Sequence, residues 1–200
     1  MLKLIFSDLD DTLLDSKKTV SNKTMNFIKG LKDTRFIVNS GRLPYNMEPI
    51  KQYIDLYNMV CGNGAYIIID GKLIYSCCLD KNDAYDLLDY GYSRGYVPRL
   101  YLDSGLYITE NSNIPTSVKI NMVNKDELYD LLKKENVYKI AFSDYNKDHL
   151  EDVRHFINDK NNMVCEYSNY WFLECHHKDT SKGNAIDIVS KLLNIKPDEV

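Results

Sequence analysis

The chain has 200 residues, 44% of them hydrophobic and 27% charged, with a net charge of −4. That length holds one large domain or two small ones, and the composition excludes disordered and fibrous classes. An acidic chain whose only arginines are Arg35, Arg42, Arg94, Arg99 and Arg154 is a poor match to nucleic acid or an anionic membrane surface. No apolar run approaches the ~18 residues of a membrane helix. The opening Met1-Leu2-Lys3-Leu4-Ile5-Phe6-Ser7-Asp8 meets an acid too early for a signal-peptide core. The expectation is a soluble, cytoplasmic protein.

Strand and helix alternate over the first 70 residues or so. Leu2 to Ser7 reads as a strand buried on both faces. Ser21 caps a helix carrying Met25, Ile28 and Leu31 at helical spacing. Arg35 to Val38 reads as a second strand that leaves through Asn39-Ser40-Gly41-Arg42. A helix is expected from Tyr45 to Tyr53 and a third strand from Met59 to Cys61. Gly62-Asn63-Gly64 reads as a turn into a hairpin, Tyr66 to Ile69 and Lys72 to Tyr75, around Asp70-Gly71. Such alternation predicts βαβ units and a parallel sheet.

The texture changes near Leu79. A helix (Asp80 to Arg94), three strands (Tyr96 to Leu102, Leu106 to Thr109, Val118 to Val123) and a helix (Lys125 to Lys134) follow. Then come a strand (Val137 to Phe142), a helix (Lys147 to Lys160) and two strands (Met163 to Tyr167, Trp171 to Cys175). Strands joined directly predict an antiparallel sheet with helices on one face, an α+β unit. The last segment returns to the texture of the first. Thr180 or Ser181 caps a helix with Ala185, Ile188, Val189 and Leu192 on one face, ended by Asn194 and Pro197. The five cysteines, Cys61, Cys77, Cys78, Cys165 and Cys175, include no Cys-x-x-Cys pair. They predict reduced, mostly buried thiols rather than a disulfide framework or a zinc site. Four histidines are thin material for a metal site, and the adjacent His176 and His177 would point to opposite faces of a strand.

Asp8-Leu9-Asp10-Asp11-Thr12 carries the strongest chemistry. It stands at the carboxyl end of the first buried strand, where open α/β sheets place ligands. Three crowded acids repel one another, and Mg²⁺ with a substrate phosphate would relieve that repulsion; a solvated acidic turn is the bland alternative. Ser40-Gly41-Arg42 reaches the same sheet edge, where a hydroxyl and free backbone N–H groups suit a phosphate oxygen. Alone, Ser-Gly is also an ordinary turn. Lys182 begins the last helix against its dipole. Ammonium and helix terminus could converge on one phosphate, although a lone lysine there is more often merely solvated. Gly62-Asn63-Gly64 lacks the spacing of a dinucleotide loop.

In this order the residues resemble the haloacid dehalogenase superfamily of phosphohydrolases, closest to the Cof-like sugar-phosphate phosphatases. The resemblance runs through Phe6-Ser7-Asp8-Leu9-Asp10-Asp11-Thr12-Leu13, Asn39-Ser40-Gly41-Arg42, Asn63-Gly64-Ala65, Phe172-Leu173-Glu174 and Ser181-Lys182-Gly183-Asn184-Ala185. It implies an α/β fold: a Rossmann-like parallel-sheet core, residues 1–79 and 178–200, with an inserted α+β cap, residues 80–177. The cap segment has 11 basic and 17 acidic groups, net −6, and the remainder 14 and 12, net +2. Anion binding therefore falls to the core, and the cap would shape the pocket for a small substrate and close over Asp8.

The resemblance implies a Mg²⁺-dependent phosphatase acting on a small phosphorylated metabolite through an aspartyl-phosphate. Asp8 would be the nucleophile and Asp10 the general acid/base. Thr12, Ser40, Gly41, Arg42 and Lys182 would hold phosphate, and Asp8 and Asp10 (through its backbone carbonyl) the metal. A fourth motif, Gly-Asp with further acids, normally follows the last helix and is absent before Val200. The expectation is a core incomplete at its C-terminal end: a fragment of a longer protein, or a chain whose open sheet edge at Leu2 to Ser7 another chain covers by self-association. Three alternatives stay open: a catalytically impaired phosphate-binding or interaction protein, a receiver-type domain disfavoured by the long insertion, and a phosphomutase.

Overall fold

The computed structural model describes residues 1–110 and 119–200. They form two compact units, Met1–Cys77 with Thr180–Val200, and Cys78–Asp179. The helices are α1 (Asn22–Gly30), α2 (Lys81–Ser93), α3 (Lys125–Lys134), α4 (Lys147–Ile157) and α5 (Lys182–Leu192). None among the described residues is long and apolar enough to cross a membrane.

The first unit is an α/β layer structure. Its sheet runs in the order β1 (Leu4–Ser7), β2 (Arg35–Asn39), β3 (Met59–Cys61), β4 (Tyr66–Ile69), β5 (Lys72–Ser76). The first three strands are parallel and the last two antiparallel. Neighbouring residues of β2 serve opposite faces, as the pleat requires. Ile37 packs with Leu4, Val60, Ala185 and Val189, whereas Val38 packs with Leu9, Met47, Ile50 and Cys61. Each such side chain taken out of water contributes about 1.5–3 kcal/mol. Ser21 caps α1 as expected, its hydroxyl accepting from the Thr24 N–H at 3.1 Å. The register pairs Ser7 with Val38 and Asn39 with Val60. The segments following β1, β2 and β3 therefore leave the sheet at one edge.

Two expectations for this unit are corrected. Residues 45–53 are not an α-helix but two 3₁₀ turns, Pro44–Asn46 and Glu48–Ile50. Pro49 has no N–H to donate and disfavours the α conformation at Glu48. Met47, Ile50 and Ile54 still reach the core. The first strand, expected from Leu2 and buried on both faces, begins at Leu4; it does lie at the sheet edge as expected, with β2 its only neighbour among the described residues. Accordingly Leu4 is buried, Ile5 and Phe6 are half-buried and Leu2 is exposed. At the base of that edge the Lys3 N–H donates to the Glu199 carbonyl at 2.8 Å.

The second unit has a six-stranded sheet in the order β10 (Met163–Asn169), β11 (Phe172–His177), β9 (Val137–Ser143), β6 (Arg99–Leu102), β7 (Leu106–Ile108), β8 (Ile120–Met122). Helices α2, α3 and α4 supply Leu87, Leu88, Leu128, Leu132, Leu150 and Val153 to a core with Leu100, Leu102, Ile140, Phe142 and Leu173. All pairings are antiparallel except β7 with β8, which is parallel. The expected all-antiparallel sheet is corrected there; Val118, expected to start that strand, lies outside the described residues. The cysteine expectation is corrected too. Cys165 and Cys175 face each other across β10 and β11 and form a disulfide, while Cys61, Cys77 and Cys78 are in no disulfide. The pairing follows from hairpin register, which sequence spacing alone does not disclose.

Candidate active site

Three strand exits and one helix start build the site, all within the first unit. After β1, residues Leu9–Leu13 form a wide turn closed by the Leu14 N–H donating to the Leu9 carbonyl at 2.9 Å. Asp11 takes a left-handed φ of +57° within it, a conformation that aspartate tolerates better than most residues. The turn leaves Asp8 at the strand end and exposes Asp11 and Thr12. Lys182 arrives from a distant part of the chain and donates to Asp8 Oδ1 at 2.6 Å. Both side chains are about two-fifths exposed, 40% and 39%, so their charges remain open to a ligand.

Asp10 sits between two cations. The Arg42 guanidinium grips it in a fork, Nε to Oδ2 at 2.9 Å and a terminal nitrogen to Oδ1 at 2.7 Å. Lys18 donates to Asp10 Oδ1 at 3.2 Å and to Asp11 Oδ1 at 3.4 Å. Partial burial pushes the Asp10 carboxyl up, but the hydrogen bonds and charges of Arg42 and Lys18 outweigh it and hold the group below its ordinary value. Arg42 here serves a carboxylate as a bidentate clamp. Ser40 is buried, and its hydroxyl oxygen accepts from the Arg42 N–H at 3.1 Å, so the hydroxyl proton is free to point outward. Thr12 stays exposed on its turn and joins none of these pairs.

The Gly62–Gly64 turn has more than a connecting role. The Gly62 N–H donates to the Arg42 carbonyl at 2.8 Å and the Asn63 N–H to the Ser40 carbonyl at 3.0 Å, stitching the turn to the Ser40–Arg42 loop. Its other side abuts the start of α5: a Cβ on Gly64 would lie 2.3 Å from the Ser181 carbonyl oxygen. Ser181 caps α5 by accepting from the Asn184 N–H at 2.9 Å. Asn39, buried at the end of β2, donates its amide to the Lys182 carbonyl at 3.2 Å. Ser40, Arg42 and Lys182 are thus positioned by one connected set of contacts, backbone hydrogen bonds between the two loops and the Asn39 side-chain amide to Lys182.

Lys18, Asn39 and Asn63 are the local participants that sequence reasoning did not assign to the site. Lys18 has a left-handed φ of +58°, which folds its loop back on the acids, and nothing in the residue types signals that. Among the described residues no group of three or more His, Cys, Asp or Glu side chains converges as metal ligands. The donors available to a cation are hard oxygens, namely Asp8 Oδ2, which Lys182 leaves open, and the Asp10 backbone carbonyl. That chemistry suits Mg²⁺ completed by water and phosphate, and not zinc.

The haloacid dehalogenase-like hydrolase family matches this sequence over residues 5–200. The chain belongs to that family. A Buchnera aphidicola protein carrying a phosphatase name is 30% identical over 204 residues, spanning 98% of this chain and 75% of its own length. A solved haloacid dehalogenase-like hydrolase from Bacillus subtilis superposes with a TM-score of 0.82 at 24% identity, covering 98% of this chain and 80% of its own. The subclass IIB sugar phosphatase BT4131 superposes with a TM-score of 0.79 at 16% identity, covering 98% and 78%. At these identities the two structures establish the fold: a Rossmann-like core with an inserted cap.

Proposed function

We propose that this enzyme is a phosphatase hydrolysing small phosphorylated metabolites, sugar phosphates foremost, through a covalent aspartyl-phosphate on Asp8. The observation that carries this reading is the 2.6 Å contact between Lys182 Nζ and Asp8 Oδ1, made by residues 174 positions apart. It brings a carboxylate and an ammonium together at one strand end, which supports reading Asp8 as the nucleophile and Lys182 as the anion holder. The Ser40 hydroxyl and backbone N–H groups stand nearby in the loop after β2. The phosphatase name of the Buchnera relative and the sugar phosphatase among the structural neighbours point the same way.

In this mechanism Asp8 attacks phosphorus, replacing one difficult hydrolysis with two easier steps. Lys182 and Ser40 hold the phosphoryl oxygens, and Arg42 joins them once it lets go of Asp10. Stabilisation is mainly electrostatic and pre-arranged. Asp10, once it has left Arg42 and Lys18 and taken up a proton from solvent, gives that proton to the leaving oxygen, then takes one from the attacking water. In the resting arrangement both of its oxygens are occupied by Arg42 and Lys18, so the proton transfer requires Asp10 to exchange those partners. Mg²⁺ held by Asp8 and the Asp10 carbonyl would supply charge neutralisation of the phosphoryl group.

A phosphate-binding protein with impaired turnover is the second reading, favoured by the absence of a third converging carboxylate among the described residues. The test is p-nitrophenyl phosphate hydrolysis with a Mg²⁺ titration, in wild type and Asp8→Asn. An amide matches the carboxylate in size but is a poor nucleophile, so the variant should keep the fold and lose turnover. If Asp8→Asn retains most of the rate, Asp8 is not the nucleophile. Phosphate binding without turnover in the wild type supports the second reading. Release of an isomeric sugar phosphate instead of inorganic phosphate marks a mutase.

A further inference from the structure

Asn63 is the only residue of the Gly62–Gly64 turn with a side chain, and its backbone is left-handed at φ +56°, ψ +31°. Its N–H bonds to the Ser40 carbonyl at 3.0 Å, so the residue is anchored directly to the loop expected to hold phosphate. Its side chain lies over Gly41. A Cβ placed on Gly41 would sit 2.9 Å from Asn63 Oδ1 and 3.5 Å from both Cγ and Nδ2. The space left by the missing side chain of Gly41 is therefore occupied by the carboxamide of Asn63, beside Ser40. That carboxamide is half-buried, and no described residue hydrogen-bonds to it. A carboxamide with no protein partner, held on a left-handed backbone beside the Ser40 loop, is available to hydrogen-bond a ligand entering there.

We infer that Asn63 is a further substrate-contact residue, whose side-chain N–H donates to a non-bridging oxygen of the bound phosphate alongside the Ser40 hydroxyl. The inference rests on the phosphatase reading above and adds a donor to it. The two donors come from different strand exits, Ser40 after β2 and Asn63 after β3. Their separation is set by the two backbone bonds between the loops, Gly62 N–H to the Arg42 carbonyl and Asn63 N–H to the Ser40 carbonyl. The arrangement also gives Gly41 a reason to be glycine: any Cβ there would displace the amide. The competing explanation is that asparagine is present only because it tolerates a left-handed turn.

Two substitutions separate these explanations. Asn63→Gly keeps the left-handed backbone without strain and removes the amide. Asn63→Asp keeps the size and the turn propensity but replaces the donor with negative charge. The readout is equilibrium binding of inorganic phosphate to the full chain in the presence of Mg²⁺, with kcat and KM for p-nitrophenyl phosphate measured in parallel. Loss of one hydrogen bond to a charged oxygen predicts phosphate binding about tenfold weaker in Asn63→Gly, and weaker still in Asn63→Asp. The ligand-free melting temperature of Asn63→Gly should be unchanged or raised. Wild-type phosphate affinity in Asn63→Gly overturns the inference while leaving the phosphatase reading intact. Failure of the wild-type chain to bind phosphate at all overturns both.

Discussion

Replacing Gly64 with alanine tests how the site is held together. The new methyl would start 2.3 Å from the Ser181 carbonyl oxygen and 2.9 Å from its carbon, on a backbone with φ of +102°. Ordinary contact lies near 3.5 Å, so turn and helix start must part by about 1 Å. The neighbour is backbone, not a flexible side-chain tip, and the displaced residue caps α5 and precedes Lys182. Left-handed strain of this kind costs about 1–3 kcal/mol, and the clash brings the expected loss to about 2–4 kcal/mol. A shift near 1 Å in a positioning group lowers rate by about 10²-fold. Gly30→Ala is the control. It has nothing within 4 Å, ends α1, and should be neutral for activity while gaining about 0.5–1 kcal/mol. Urea unfolding and kcat/KM for p-nitrophenyl phosphate read both effects. If Gly64→Ala keeps more than half of the wild-type kcat/KM, or is as stable as the control, the turn does not position Lys182.

Three other outcomes follow from the same contacts. Arg42→Met should destabilise the protein at pH 7 by about 1 kcal/mol, discounted for the solvent exposure of the pair. The Asp10 carboxyl lies below its ordinary 3.8 when folded, so its contribution is present above that value and is lost as pH falls through the lowered one; the difference between the variant and wild type should shrink in that window in melts from pH 7 to pH 3, and an equal difference at every pH would refute the assignment. Thiol titration of the unfolded, unreduced chain should count three reactive cysteines and the reduced chain five, since Cys165 and Cys175 are joined; five before reduction would remove the disulfide. Among the described residues β1 has no strand neighbour on the side away from β2, so light scattering should show association rising with concentration, and a monomer throughout would count against pairing through that edge.

Most of the element pattern was legible because local rules and tertiary demands agree. The hydrophobic spacing of α3, with Leu128 and Leu132 both buried, and its Asn124–Glu127 capping box are readable in the residues themselves. The hairpin around Asp70-Gly71 likewise needs only turn chemistry, Asp70 and Gly71 both having positive φ. Reading failed where one residue overrode a pattern, as Pro49 does by breaking a helix whose apolar spacing is otherwise sound. It failed again where register decided the outcome, as for Cys165 opposite Cys175 and for β8 beside β7. In the site, residue types at strand exits suggest acids and phosphate donors, but partners depend on how three loops meet. Arg42 reads as an anion binder from sequence, and its resting anion turns out to be a carboxylate of the same chain. Asn63 reads as turn punctuation until the proximity of its side chain to Gly41 is seen.

Those resting pairs also bear on what the site can accept. Asp8, Asp10 and Asp11 bring three formal negative charges, and Lys182, Arg42 and Lys18 bring three positive ones, linked by contacts of 2.6–3.4 Å. The site is therefore formally neutral before substrate arrives, and its acids do not repel one another freely. A phosphate monoester dianion adds two negative charges. It cannot be held by the same three cations without stripping the carboxylates, which then repel both each other and the ligand. One divalent cation entering with the phosphate restores the balance and allows Arg42 and Lys182 to be shared between carboxylate and phosphoryl oxygens. A monovalent ion would leave one charge uncompensated in a partly buried site, where water screens it poorly. On the phosphatase reading proposed above, the argument for a divalent metal therefore rests on the charge count of the side chains as much as on the number of ligands they offer.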